Sequence, residues 1–477
     1  MLFNTFNYLT FLLFIFPVYW LLNRNLKAQN TFILLCSYFF YGCWDYRFLF
    51  LLIFSTYLDF FTGKKIYESE SKSLKKMWLI ISVGINLGFL GFFKYYNFFA
   101  DQAATLIELM GFRANIWTLK LILPVGISFY TFHGLSYVFD IYNDKFKPRE
   151  SFFDYAVFVC FFPLLVAGPI ERASHLLPQV ERKRVFNYST AILGLRQILW
   201  GLFKKVVIAD NCATHANKIF NDYQHYNGST LLVGAVFFAF QIYGDFSGYS
   251  DIALGTARLF GFELLKNFSY PYFSRDIAEF WRRWHMSLSS WFRDYLYIPL
   301  GGSKVSKLKQ VRNTFIIFLV SGFWHGANWT FIFWGFLNAV YFLPLLLANK
   351  NRSNMGFVDE GSLQQKLTDG VKILITFFMV TLAWIFFRAK TLYQAFDYVY
   401  RVFAKGLLSR PAILPWELLA LIVFFMMVEW RGRHYDFALA GFGQKQPAVM
   451  RYSFYYVVLL LLFVYACKNQ EFIYFQF

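Results

Sequence analysis

The longest stretch of this sequence without Lys, Arg, Asp or Glu runs from Asn313 to Asn349. A helix needs about 20 apolar residues to cross the hydrocarbon core of a bilayer, so this stretch is long enough for two crossings. Similar apolar runs recur along the whole sequence, which is 58% hydrophobic and 16% charged, whereas soluble domains carry about 25% charged residues. The sequence therefore predicts an all-α polytopic membrane protein that forms one membrane domain over residues 1–477.

The apolar runs predict a bundle of about 10–13 membrane helices, with re-entrant or interfacial pieces where runs are short or interrupted by Gly and Pro. Segment 152–170 is one example, because Pro163 and Pro169 are expected to break it. The first run, Leu2–Leu22, has no basic n-region and no small-residue cleavage site. It is interpreted as a retained span and not as a removed signal peptide.

The formal net charge of +18 does not point to nucleic acid. Basic residues concentrate in the cytoplasmic connections of membrane proteins, and this rule explains the excess. We expect these connections to face anionic membrane lipid and predict no nucleic-acid partner. The basic residues of these connections are Arg24, Lys27, Lys64, Lys65, Lys72, Lys75, Lys76, Arg182, Lys183, Arg184, Lys304, Lys307, Lys309 and Arg312.

His325 is the one histidine of the stretch between Asn313 and Asn349, which has no Lys, Arg, Asp or Glu. At about 1.5 Å per helical residue it lies roughly 18 Å along this stretch, near the middle of a core about 30 Å thick. Ionisable groups at such depth are costly and mark sites or pathways. Packing against a backbone carbonyl is the alternative, but small residues leave space beside the ring. These are Ser321, Gly322, Gly326 and Ala327.

Residues 268–302 have a different character, because charged side chains alternate with Trp and Tyr. This density of charge cannot cross lipid as an ordinary span, but it suits the headgroup interface or a polar funnel in the protein. An amphipathic helix with only an anchoring role is the alternative. The segment contains WRRWH at Trp281–His285 and WFRDYLYIPLGG at Trp291–Gly302.

Two histidines, His285 on the interfacial segment and His325 in the apolar stretch, suit acyl transfer to a hydroxyl. The hydroxyl is a poor nucleophile until a base removes its proton, and a neutral imidazole is the usual base. Burial disfavours the imidazolium, so we expect His325 to be neutral and able to accept the proton. His285 is expected to orient the acceptor or to donate to the oxyanion that forms on a thioester carbonyl.

The run WRRWHMSLSSWFRDYLYIPLGG followed by SGFWHGANW resembles the membrane-bound O-acyltransferase (MBOAT) family, in particular its bacterial alginate O-acetylase branch. The likeness extends to LPVGISFYTFHGLSYVFDIY at Leu123–Tyr142 and FPLLVAGPIERA at Phe162–Ala173. The branch that transfers D-alanine to teichoic acid shares WRRWH and WFRDY, but its motif does not usually continue as YIPLGG. Peptidoglycan O-acetylation proteins resemble the alginate branch too closely for these motifs to separate them.

The resemblance implies a helical bundle around a central tunnel in the bacterial inner membrane. It implies that an acyl group, most simply acetyl, passes from a cytoplasmic acyl-CoA or acyl-carrier thioester toward an envelope polysaccharide such as an alginate-like polymer or peptidoglycan. A separate periplasmic acetyltransferase is an expected partner. The family's invariant histidine falls on His325, within a helix expected over about 313–335, and its second polar position falls on His285.

Further residues are candidates for substrate contact or for lining the tunnel. Asp245 and Asp251 interrupt an apolar run and are expected to pair with Arg282 or Arg283, because buried charges need partners. The other candidates are Trp324, Tyr130, His133, Arg293 and Asp294. For His133 packing is the alternative, and for Arg293 and Asp294 it is bracing of the interfacial segment.

No metal site or bound cofactor is predicted. The histidines have no metal-ligand spacing, the cysteines form no CxxC pair, and no GxxxxGK phosphate loop occurs. Two further functions stay open. A transporter would use Asp245, Asp251 and Glu429 as intramembrane ion sites, although no pair of related halves is visible. A non-catalytic scaffold would tolerate the loss of both histidines.

Overall fold

A computed structural model describes residues 1–112, 119, 121–166, 168–356, 362–442, 447–466 and 472–473 of the chain. These residues form helices joined by turns and loops, and no β-strand occurs among them. The prediction of an all-α protein is therefore confirmed. The chain divides into two compact units, unit 1 (Met1–Ala191 with Thr256–Leu265) and unit 2 (Ile192–Gly255 with Lys266–Phe477). The single-domain assignment stays a prediction.

The N-terminal part of the chain folds into short and medium-length helices. A π-helical segment, Gly91–Tyr95, connects two of them and makes Lys72–Leu109 a continuous helical rod. The helices are α1 (Phe6–Leu21), α2 (Leu26–Asp45), α3 (Leu49–Glu68), α4 (Lys72–Leu90), α5 (Tyr96–Leu109), α6 (Ile127–Tyr142), α7 (Phe152–Cys160), α8 (Phe162–Leu165) and α9 (Ala173–Glu181).

The remainder of the chain contains longer helices and two more π-helical segments, Phe203–Ala209 and Arg293–Tyr297. Its helices are α10 (Tyr188–Leu202), α11 (Asp210–Asn221), α12 (Gly228–Leu259), α13 (Ile277–Arg283), α14 (Met286–Phe292), α15 (Lys307–His325), α16 (Trp329–Leu347), α17 (Leu363–Arg388), α18 (Leu392–Ala404), α19 (Trp416–Gly432) and α20 (Ala448–Tyr465).

Several helices are long and apolar enough to cross a membrane. Among the described residues they number five: Lys72–Leu109, Gly228–Leu259, Trp329–Leu347, Leu363–Arg388 and Ala448–Tyr465. The chain is thus a multi-pass membrane protein, as its composition predicts. The total of about 10–13 membrane helices and the central tunnel stay predictions.

The expected break in segment 152–170 is present. Helix α7 ends at Cys160, Phe161 leaves the helical region at φ −53° and ψ 116°, and α8 begins at Phe162. Pro163 lies in the first turn of α8, where its missing N–H and fixed φ are compatible with a helix start. Two short helices therefore replace the single span that the apolar run alone would allow.

Within unit 1, α3 and α6 approach closely at two glycines, Gly63 and Gly134. A Cβ at Gly134 would lie 1.8 Å from Asp59 Oδ2, and one at Gly63 would lie 2.7 Å from Tyr137 Cε1. Asp59 is only 1% exposed, and its Oδ1 accepts hydrogen bonds from the side chains of Ser82 and Asn86, each at 2.7 Å. Small residues allow such close helix packing in membranes, and here they also leave room for a buried carboxylate.

We expect Gly134→Ala to destabilise the protein by about 1–3 kcal/mol, because the added methyl group displaces Asp59 from its hydrogen bonds. The measurement is thermal unfolding in detergent. Gly88→Ala in α4 is the matched control, since a Cβ at Gly88 meets nothing within 4 Å. Equal unfolding temperatures for the two variants would contradict this account of the α3–α6 contact.

Candidate active site

His325 lies at the turn of a helical hairpin formed by α15 and α16 in unit 2. It is the last residue of α15, after which Gly326 is extended at φ −164° and ψ 152°. Asn328 then caps α16 by accepting a hydrogen bond from the Thr330 N–H at 3.0 Å. The helices pack closely, because a Cβ at Gly322 would lie 2.3 Å from the Phe331 carbonyl oxygen.

This geometry corrects the expected helix over about 313–335. The helix with His325 ends at that residue, because Gly326 and Asn328 provide a stop and a new N-cap that the apolar pattern does not reveal. Helix α15 has 19 residues, which corresponds to about 28 Å. His325 is therefore at the end of one helix, and not midway along a continuous one.

The imidazole of His325 is surrounded by aromatic rings. The residue is 5% exposed, and its ring centroid lies 5.2 Å from Trp334 and 5.3 Å from Phe387, both in edge contacts. The neighbouring Trp324 ring lies 4.8 Å away. Such an environment excludes bulk water and disfavours an isolated charge, as the sequence leads us to expect.

His285 occupies the turn between α13 and α14, two helices of seven residues each that are too short to span a membrane. Its backbone is left-handed, at φ 43° and ψ 54°, which is rare and strained for a side chain other than Gly. The residue is 1% exposed, and neither ring nitrogen forms a hydrogen bond with any residue that the structure describes. Burial lowers the pKa of His285 to about 3, so the imidazole is neutral.

The ring of Trp324 contacts the rings of both histidines. Its ring centroid lies 6.2 Å from that of His285 and 4.8 Å from that of His325. On its other side His285 meets Phe246 of α12, at 4.6 Å between centroids. A neutral, buried imidazole can accept a proton at a site with little water, and activation of a hydroxyl near a thioester requires both conditions.

The sequence led us to expect that Arg282 and Arg283 pair with Asp245 or Asp251, but the contacts of the described residues show other partners. Arg282 donates to the carbonyl oxygens of Asn351 at 2.7 Å and Asn354 at 2.8 Å. Arg283 donates to Glu279 Oε1 at 2.6 Å and to the Gly356 carbonyl oxygen at 3.0 Å. The two arginines thus connect α13 to the segment after α16. Their acceptors there are backbone carbonyl oxygens, which cannot be recognised from the charges of the side chains.

The actual partners of the two aspartates are Lys204 and Lys205, in the π-helical segment Phe203–Ala209. Lys204 Nζ lies 2.9 Å from Asp251 and 3.0 Å from Glu429. Lys205 Nζ lies 2.8 Å from both Asp245 and Asp210. The sequence feature that could have predicted these ion pairs is the pair of adjacent lysines inside an apolar run, since buried charges in membranes pair with one another.

Four candidates for substrate contact or tunnel lining remain: Arg293, Asp294, Tyr130 and His133. Arg293 pairs with its neighbour Asp294 at 2.8 Å, and the Arg293 side chain is 62% exposed. Tyr130 and His133 are buried in α6 of unit 1, where His133 Nε2 lies 3.4 Å from the Pro169 carbonyl oxygen. A substrate or tunnel role for these four residues stays a prediction.

The apolar helices define a multi-pass membrane protein, and comparison with known proteins identifies its family. The family model for MBOAT, the membrane-bound O-acyltransferase family, matches residues 100–362. The peptidoglycan O-acetyltransferase of Helicobacter pylori is 38% identical over 78% of this chain and 73% of its own length. The chain therefore belongs to the membrane-bound O-acyltransferase family and is an O-acyltransferase.

Two further relatives indicate which branch of the family this chain resembles more. A probable alginate O-acetylase of Pseudomonas aeruginosa is 36% identical over 80% of this chain and 71% of its own length. The teichoic acid D-alanyltransferase of Bacillus subtilis is 28% identical over 46% of this chain and 58% of its own length. The similarity is thus greater to proteins named for O-acetylation than to the protein named for D-alanylation.

We expect Lys205→Met to destabilise unit 2 by about 3–5 kcal/mol, because it leaves Asp210 and Asp245 buried without their cation. Lys218→Met on the exposed surface of α11 makes the same chemical change without breaking an ion pair found among the described residues. Unfolding temperature in detergent and accumulation in membranes are the measurements. A Lys205→Met protein as stable as Lys218→Met would contradict the proposed cost.

Proposed function

We propose that this chain transfers an acetyl group from a cytoplasmic thioester toward an envelope polysaccharide, from a position in the bacterial inner membrane. The observation that carries the proposal is the convergence of His325 and His285 on Trp324 in a buried aromatic site. The names of two relatives, a peptidoglycan O-acetyltransferase and a probable alginate O-acetylase, support acetyl as the group and a glycan as the destination.

His325 acts as the general base in this mechanism. It takes the proton of the acceptor hydroxyl as the hydroxyl oxygen attacks the thioester carbonyl carbon. The tetrahedral intermediate then collapses, the carbon–sulfur bond breaks, and the proton passes from the imidazolium to the departing thiolate. No redox step and no bound cofactor are needed, and the thioester, either acetyl-CoA or an acetylated carrier protein, is a substrate.

His285 binds the reacting groups in the same mechanism. A neutral imidazole donates through one nitrogen and accepts through the other, and both nitrogens of His285 are without a hydrogen bond to the described protein. That leaves them for the substrate: one N–H for the oxyanion on the former thioester carbonyl, and one acceptor for a hydroxyl. The strained backbone at His285 is consistent with a residue held for function.

The acceptor of this step is either a glycan hydroxyl or a hydroxyl on a periplasmic partner that completes the transfer. D-alanyl transfer to teichoic acid is the second candidate, supported by the shared WRRWH and WFRDY motifs. The more limited match to the Bacillus subtilis protein makes it the weaker of the two. A transporter role for Asp245, Asp251 and Glu429 is disfavoured, because each is paired with a lysine.

His325→Ala should lower O-acetylation of the envelope glycan by at least about 10²-fold, because the acceptor loses its base. The measurement is ester-linked acetate on isolated envelope polysaccharides, in cells that make equal amounts of each protein. His225→Ala is the control, since that side chain is 77% exposed. Normal acetate in the His325→Ala cells would refute the proposed function, and D-alanyl ester in place of acetate would select the second candidate.

His285→Ala should lower the maximal rate by about 10²–10³-fold, the usual loss for an oxyanion donor, with a smaller effect on the apparent KM for the thioester. Transfer of labelled acetyl in membrane vesicles measures both constants. A raised KM with an unchanged maximal rate would instead assign His285 to binding of the donor alone.

A further inference from the structure

The turn that carries His285 is paired with a second segment, Asn267–Ser269. The Ser269 N–H donates to the Arg283 carbonyl oxygen at 3.0 Å, and the Met286 N–H donates to the Asn267 carbonyl oxygen at 2.8 Å. These two backbone hydrogen bonds lie on either side of His285 in the sequence. The position of the imidazole therefore depends on where the 267–269 segment is held.

The side chain of Asn267 connects this turn to α12. Its Oδ1 accepts a hydrogen bond from Ser287 Oγ at 2.5 Å, and its Nδ2 donates to Ser250 Oγ at 3.0 Å. Asn267 is only 1% exposed, so bulk solvent does not compete for these bonds. One buried amide thus joins the residue two positions after His285 to a span-length helix.

These hydrogen bonds matter because no residue that the structure describes forms a hydrogen bond with the ring of His285 itself. Its orientation depends on aromatic contacts and on a left-handed backbone that the surrounding structure must enforce. Reacting groups must be placed closely, and a shift of about 1 Å from a change outside the chemistry can cost 10²-fold in rate.

We propose that Asn267 is a positioning residue that fixes His285 for acyl transfer by tying Ser287 and Met286 to Ser250. The inference rests on the proposed role of His285 but adds a residue that touches neither donor nor acceptor. It implies that Asn267 and Ser287 act on the reaction through their shared hydrogen bond.

We expect Asn267→Ala to keep the fold. A cavity of about 20 Å³ borders Asn267 and Ser250, and Lys204 and Asp251 also line it. This volume accommodates about one water molecule, and its polar lining offers hydrogen-bond partners. Water can therefore occupy the space of the deleted amide, while the backbone bond between Asn267 and Met286 remains.

The experiment is a double-mutant cycle on acetyl transfer in vesicles, with Asn267→Ala, Ser287→Ala and the combined variant. We expect each single variant to lower the maximal rate by up to about 100-fold at a nearly unchanged apparent KM for the thioester. The combined variant should lose no more than Asn267→Ala alone, because Asn267→Ala already removes the bond that Ser287→Ala removes. Asn211→Ala, which deletes another buried amide, should keep the wild-type rate per folded protein.

Two results would overturn the inference: wild-type maximal rates in Asn267→Ala and Ser287→Ala, or effects that multiply in the combined variant. Should Asn267→Ala not accumulate, Ser287→Ala alone decides, because it removes the same bond from the other side. His285→Ala distinguishes a failure of the proposed role of Asn267 from a failure of the proposed role of His285. If it is inactive while the cycle variants are fully active, only the role of Asn267 fails; if it is fully active, the proposed function of His285 fails.

Discussion

Burial of polar and charged groups without access to water is the constraint on which this structure depends. Lipid offers no hydrogen bonds, so each such group needs a partner in the protein. Lys204 and Lys205 meet this need with two carboxylates each. The π-helical segment Phe203–Ala209 contains both lysines, and the pairing ties it to α11, α12 and α19. Asp59 meets the same need through neutral donors.

The same constraint makes the buried imidazole of His285 unusual. A buried polar group without a hydrogen bond is costly, and native proteins contain few of them. Here the cost coincides with a strained backbone, beside the indole that also contacts His325. Unmet hydrogen-bonding capacity and strain at one residue are typical of a site whose missing partner is the substrate.

The sequence predicts the helical membrane fold, the family and the two histidines, because composition and two motifs carry this information locally. It does not predict where α15 ends, since a single extended glycine interrupts an apolar pattern that otherwise continues through Trp329. Nor does it predict the partners of Arg282, which are backbone carbonyl oxygens without a side-chain signature. The pairing of Lys205 with Asp210 and Asp245 depends on a π-helical segment, whose altered register changes which residues face one another.

The end of α15 at His325 has an electrical consequence. Aligned peptide dipoles give the carboxyl end of a helix a partial negative charge of about half an elementary charge. His325 occupies that end. In the proposed mechanism the ring of His325 takes a proton from the acceptor, and the carboxyl end of α15 attracts the resulting cation. In that mechanism the hairpin turn supplies part of the counter-charge for the imidazolium of His325.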